Sequence, residues 1–199
     1  MDGTGNCFVR KTGEPNQYLL GCHHVLALTE MQPPPADVTS ISVDWEGARL
    51  GALAELPTNV NAVDAAIAHC DAVQPQIHFM NAGSVVTIKS VIAAGAPPPP
   101  TFFILTRNGV HRANLLGMVS HTENYYGNGT ALTFTNVIHS VAAPGEPQFQ
   151  DGDSGAPLVD AGGRLIGIHY AGDDPLGADS YALRADVVFR SFSKGLSLS

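Results

Sequence analysis

The run Ala93-Ala94-Gly95-Ala96-Pro97-Pro98-Pro99-Pro100 limits what this chain can fold into more than any other stretch. Proline has no N–H to give to a ladder, so four in succession cannot enter a sheet interior and favour an extended, solvated polyproline II segment. The run falls near the middle of the 199 residues. It predicts two halves, residues 1–94 and 101–199, joined by a proline-rich linker at 95–100.

Short apolar runs separated by turn residues fill both halves. Phe8-Val9-Arg10 and Tyr18 to Cys22 flank the turn-rich Lys11 to Asn16 and read as a hairpin. Val38 to Leu50 reads as strand, turn and strand, and Gly51 to Val60 is open to a short helix limited by Pro57. Val63 to Ala68 reads as a compact strand carrying one acid, and Val85 to Ala93 as one or two more strands. Beyond the prolines, Phe102–Leu105, Ala113–Val119, Ala131–Ile138, Pro157–Val159, Leu165–Tyr170 and Tyr181–Leu183 are strand candidates. Asp186 to Phe192 is a terminal helical turn or strand. Sustained helical periodicity is scarce, so the class expected is all-β, as barrels or sandwiches.

Composition removes several function classes. Apolar residues make up 44% and charged residues 14% of the chain, enough for a substantial core and incompatible with disorder. A net charge of −8 without a lysine or arginine cluster speaks against a nucleic-acid or anionic-membrane partner. No apolar run approaches the roughly 20 residues that span a bilayer. Met1 to Arg10 lacks a charged stretch followed by an apolar one, so no signal peptide is expected and the balance favours a soluble, cytoplasmic chain. The three cysteines, Cys7, Cys22 and Cys70, form neither a disulfide framework nor a zinc spacing, although a Cys7–Cys22 bridge across the hairpin is geometrically possible. No metal or cofactor is expected. His69, His78, His111, His121 and His139 are scattered and read as structural.

One stretch fits neither a core nor a linker: Gly152-Asp153-Ser154-Gly155-Ala156-Pro157-Leu158. Glycine on both sides permits a sharp turn and a close approach of another chain. A serine so placed is presented as a nucleophile with its own backbone N–H groups toward the substrate, provided a base and an orienting acid exist. His24, at the end of an apolar strand and entering a turn, is the candidate base. Strand alternation points its neighbour His23 the other way. Asp64 is the candidate acid, because a carboxylate among small apolar residues is costly to bury without a partner.

Tyr18 to Leu26, ending Cys22-His23-His24-Val25, resembles the strand-to-histidine segment of chymotrypsin-like serine proteases. Val63 to Ala68 resembles their strand around the catalytic aspartate, and Gly152 to Pro157 matches their nucleophile motif; the order His, Asp, Ser is also the family's. The resemblance covers most of the chain and is carried by these motifs and the strand after the serine. It implies two packed six-stranded antiparallel β-barrels with the active site in the groove between them. His24 and Asp64 would lie on the first barrel and Ser154 on the second, with separate cores and no shared sheet. The N–H groups of Gly152 and Ser154 would form the oxyanion hole. The Gly-x-Ser-x-Gly elbow of α/β-hydrolases is not met, because Ala156 takes its last place.

Gly167-Ile168-His169-Tyr170-Ala171-Gly172 resembles the family's pocket-wall strand. A histidine there recurs in glutamyl endopeptidases and viral 3C-like proteases, which read Glu or Gln at P1, the residue before the cut. An imidazole can donate a hydrogen bond to either side chain. The other pocket positions implied are Phe149, in the floor segment where glutamyl endopeptidases carry a small hydroxyl residue, and Ala171. The trypsin-type mature N-terminus is absent at Met1-Asp2-Gly3-Thr4, so the expectation is either a different partner for Asp153 or a site formed constitutively. Asn128-Gly129-Thr130 fits a glycosylation acceptor, and Tyr125 to Gly129 a hairpin tip. The expectation is a serine endopeptidase acting on protein or polypeptide substrates. The alternative is a protease-fold interaction domain with a vestigial site.

Overall fold

The computed structural model describes residues 3–26, 37–45, 48–59, 62–71, 79–81, 84–123, 131–172 and 178–199. The strands are β1 (Cys7–Lys11), β2 (Tyr18–Gly21), β3 (Ser42–Trp45), β4 (Ala48–Glu55), β5 (Ala66–His69), β6 (Phe79–Asn81), β7 (Ser84–Val86) and β8 (Ser90–Val91) before the prolines. After them come β9 (Thr101–Thr106), β10 (Gly109–Glu123), β11 (Leu132–Ala142), β12 (Pro157–Val159), β13 (Arg164–Gly172), β14 (Asp179–Arg184) and β15 (Leu196–Leu198). The helical turns α1 (His23–Leu26) and α2 (Ala185–Arg190) complete the fold, with a 3-10 turn at Val38–Ser40.

The chain is all-β, in the two-barrel arrangement that the resemblance implies. One antiparallel sheet runs β15-β1-β2-β5-β4-β3. The other runs β12-β9-β10-β11-β14-β13-β8 and closes on itself through the pairing of β12 with β13. Side-chain alternation decides what each strand buries. Cys7 and Val9 of β1, Tyr18 and Leu20 of β2, and Ile67 of β5 face the main core. Leu19, Ala66 and Ala68, on the opposite face of the same strands, join Val43, Leu50 and Leu53 in a smaller one. With both faces covered, β2 is buried throughout, which is why it reads as a continuous apolar run rather than an alternating one.

Four features differ from the sequence reading. The cores are not separate: one cluster of buried residues runs from Cys7 and Ile67 through to Phe102, Phe134 and Ile168. The halves also trade strands. β15 pairs with β1, with Leu198 opposite Val9, and β8 pairs in parallel with β13, with Val91 opposite Leu165. Third, residues 51–55, open to a short helix in the sequence, continue β4 as strand, because Leu50 and Leu53 are needed in the smaller core and the strand pairs on both edges. Fourth, the histidine pair lies in α1, so strand alternation does not separate His23 from His24, and both are buried. The segments holding His78, Tyr125 to Gly129 and Asn128-Gly129-Thr130 lie outside the described residues.

Candidate active site

The register of the first sheet brings the base and the acid together. β2 and β5 are antiparallel, with Gly21 opposite Ala66, so the residues just after Gly21 lie beside those just before Ala66. The chain turns sharply after β2, where the Cys22 carbonyl accepts the N–H groups of Val25 (3.2 Å) and Leu26 (3.0 Å). That helical turn carries His24. Across from it, Asp64 does not lie in a strand; it sits in a tight turn closed by Ala65 N–H to the Val63 carbonyl at 3.0 Å. His24 Nδ1 lies 2.6 Å from Asp64 Oδ2, and the His24 backbone N–H donates to Oδ1 at 3.0 Å.

Ser154 sits in the loop between β11 and β12. Gly152 and Gly155 have φ of +93° and +97°, a region that glycine enters without cost and L side chains rarely adopt. The loop continues the pairing of β12 with β13: Gly155 N–H donates to the His169 carbonyl (2.8 Å) and His169 N–H to the Ala156 carbonyl (2.9 Å). The Ser154 hydroxyl donates to the Tyr170 carbonyl at 3.3 Å. The His169 carbonyl also accepts from Cys22 Sγ at 3.2 Å. One oxygen thus joins the turn bearing His24 to the loop bearing Ser154.

Burial alone would push the Asp64 carboxyl up, but the charge and hydrogen bonds of His24 outweigh it and hold the group below the usual carboxylate range. Burial likewise pulls the His24 imidazole down, and the Asp64 carboxylate more than restores it, leaving it above its ordinary value. With Nδ1 committed to Asp64, Nε2 is the nitrogen suited to take a proton. His23 is pushed down, chiefly by burial, and its Nε2 is buried without a hydrogen-bond partner.

The pocket residues named by sequence are partly together. His169 is 3% exposed, its Nδ1 lies 2.8 Å from Ser180 Oγ, and its ring centroid is 5.6 Å from that of Phe149. Burial, then the charge of His24, drives its pKa down to about 3, so it is a neutral imidazole. Ala171 lies on the same strand beyond a bulge. Asp153 is buried: its Oδ2 accepts the Gln150 N–H at 2.9 Å, and burial raises its pKa against the charges of His111 and Arg107.

His121 and His139, which read as structural in the sequence, both stack on Tyr181, at centroid distances of 3.9 and 4.8 Å. His121 Nδ1 meets the Tyr170 hydroxyl at 2.8 Å, one residue from His169. In the register His121 lies opposite Phe134 of β11 and His139 opposite Tyr181 of β14, and no motif marks either place. Cys22 Sγ, His24 and Asp64 offer ligand atoms within 4.8 Å of one another. The thiol is buried and its pKa is raised well above normal, first by burial and then by the Asp64 charge, which opposes the thiolate a soft metal needs.

No family model matches the sequence, and no curated protein does either. Solved structures do. Protease A of Thermobifida fusca superposes with a TM-score of 0.66 at 16% identity, over 99% of this chain and 92% of that one. A serine protease described as glutamic acid specific and using a histidine triad in substrate binding gives 0.66 at 18% identity, over 99% and 93%. The chymotrypsin of Cellulomonas bogoriensis gives 0.62 at 16% identity, over 100% and 99%. The chain has the chymotrypsin-like serine protease fold.

Proposed function

We propose that the protein is a serine endopeptidase with His24, Asp64 and Ser154 as its triad. The observation that carries this reading is the paired contact of Asp64 with His24, which fixes the ring and leaves Nε2 for proton transfer. Ser154 Oγ attacks the scissile carbonyl carbon and gives its proton to His24 Nε2. The oxyanion forms against the N–H groups of Gly152 and Ser154, where one such donor is worth roughly 3 kcal/mol of barrier. Collapse of the tetrahedral intermediate expels the amine, which takes the proton from Nε2, and leaves an acyl-enzyme. Water, deprotonated by the same nitrogen, releases the acid and restores the serine.

The P1 side chain favoured is Gln or Glu, read by His169 with Phe149 and Ala171 beside it. A neutral imidazole brings one N–H donor and no charge, which suits a carboxamide as well as a carboxylate. That a neighbour in fold is described as glutamic acid specific, with histidines in its substrate site, supports the same reading. A peptide-library cleavage profile, with Ser154→Ala as the blank, tests it: cleavage after Gln or Glu is expected, and a preference for Arg, Lys or large apolar residues would reject His169 as the reader.

A further inference from the structure

The segment before β1 touches the nucleophile loop at three points. Thr4 Oγ1 donates to the Gly152 carbonyl at 2.9 Å, Thr4 N–H to the Ser154 carbonyl at 2.7 Å, and Asn6 Nδ2 to the Gly155 carbonyl at 3.1 Å. Thr4 and Asn6 are both buried. A trans peptide holds its C=O and N–H on opposite sides, and each of these three units is fixed at its other end as well. The N–H groups of Asp153, Gly155 and Ala156 donate to the carbonyls of Gln150 (3.0 Å), His169 (2.8 Å) and Asp153 (2.9 Å). Held this way, the loop has little freedom to turn the Gly152 and Ser154 N–H groups away from a substrate.

The same segment leans on the histidine turn. A Cβ at Gly3 would collide with Val25, next to His24, and come within 3.0 Å of the Ser154 carbonyl. A Cβ at Gly155 would collide with the Thr4 carbonyl. Residues 3–6 therefore run as a strap between the two parts of the site, in contact with both.

We propose that Thr4 and Asn6 are positioning residues that hold the nucleophile loop in its oxyanion-binding conformation, a role that rests on the protease reading for its catalytic consequence. A loop whose donors move by about 1 Å loses on the order of a hundredfold in rate, and the loss falls on kcat because the oxyanion is absent from the bound substrate and develops on the way to the tetrahedral intermediate.

The test compares Thr4→Val, which keeps shape and removes the Oγ1 donor, with Thr4→Ser, which restores it. Thr58→Val is the control, since Thr58 Oγ1 makes a comparable bond to the Ser191 carbonyl at an exposed site (3.0 Å). Hydrogen exchange over residues 150–157 should quicken about tenfold or more in Thr4→Val and remain near wild type in Thr4→Ser and Thr58→Val. On a peptide substrate, kcat should fall ten- to a hundredfold in Thr4→Val with KM within about twofold, and Thr4→Ser should recover it. Asn6→Ala carries the same comparison if Thr4→Val does not fold. Unchanged exchange in the loop, or an equal loss in Thr58→Val, overturns the strap. Faster exchange with a wild type that cleaves nothing leaves the strap standing and removes the protease reading instead.

Discussion

Asp64 grips His24 twice, its Oδ2 lying 2.6 Å from Nδ1 and its Oδ1 accepting the backbone N–H at 3.0 Å. An amide at position 64 could still accept the backbone N–H but would present N–H donors or a weaker acceptor to the ring, and so favour the wrong tautomer. Asp64→Asn is expected to fold and to lose about 10⁴-fold in kcat. Steady-state kinetics with a thermal melt as the folding control measures both.

The pair also sets a pH dependence. His24 must be neutral to act as base, and Asp64 holds its pKa above the ordinary value of about 6.5. The acid limb of the kcat profile should therefore lie above that value and move down when Asp64 is replaced. For stability the signs differ. The raised pKa of His24 contributes stability present at low pH and lost as pH rises through its folded value. The lowered pKa of Asp64 contributes stability present above its unfolded value of about 3.9 and lost as pH falls through its folded one. The pair stabilises most between those limits. Melting temperature against pH in wild type and Asp64→Asn is the check; a difference that does not vary with pH would contradict it.

His169, with a pKa of about 3, stays uncharged over the range where ordinary histidines titrate, about pH 5 to 8. The ratio of kcat/KM for Gln against Glu substrates should be flat there once the charge of the substrate is constant. His169→Leu should lower kcat/KM for Gln by about a hundredfold or more, since a reader that hydrogen-bonds its substrate discriminates strongly. A ratio that swings near pH 6 would mean that His169 ionises in the pocket.

The three thiols are free in the structure. Burial raises the pKa of Cys7 and of Cys22 far above normal, while half-buried Cys70 is raised to about 11. Thiol titration of the native protein should therefore label Cys70 slowly and first, with Cys7 and Cys22 reacting only after unfolding. Activity should be indifferent to mild reductant. Fast labelling of Cys22 in the folded protein would contradict its placement.

Asp186 anchors the chain around the proline run. Its Oδ1 accepts from buried Arg184 Nε at 2.9 Å, and its Oδ2 accepts the Gly95 N–H and Arg190, each at 3.2 Å. Removing one partner of a buried pair strands the other, so Asp186→Ala should destabilise by about 3–5 kcal/mol. Chemical denaturation measures this. The proposed catalytic residues His24, Asp64 and Ser154 lie on other segments, so any activity at temperatures well below the melt should be kept.

Much of this was legible from residue type and spacing. Gly152-Asp153-Ser154-Gly155 announces its turn because two positions need positive φ, and Asp64 stands out as a carboxylate among alanines. The strands with clear apolar runs, β9, β12 and β13, fall where the sequence puts them. What was not legible depends on long-range pairing. Leu196-Ser197-Leu198 alternates, but nothing local says that it closes on β1, 185 residues earlier. Gly51-Ala52-Leu53-Ala54 has helix-forming residues and becomes strand because its neighbours on both edges demand it. The strap of residues 3–6 carries no motif at all, since what it offers is the reach of one hydroxyl, one amide and one backbone N–H toward a loop 150 residues away.

The most direct measurement is covalent labelling at Ser154. A fluorophosphonate incubated with the folded protein should add one equivalent, found by mass spectrometry on the peptide containing Ser154 and absent from Ser154→Ala, with His24→Ala slowed by several orders of magnitude. A wild type with native melting behaviour that takes up no label, or labels equally without His24, would contradict the triad on which the account rests.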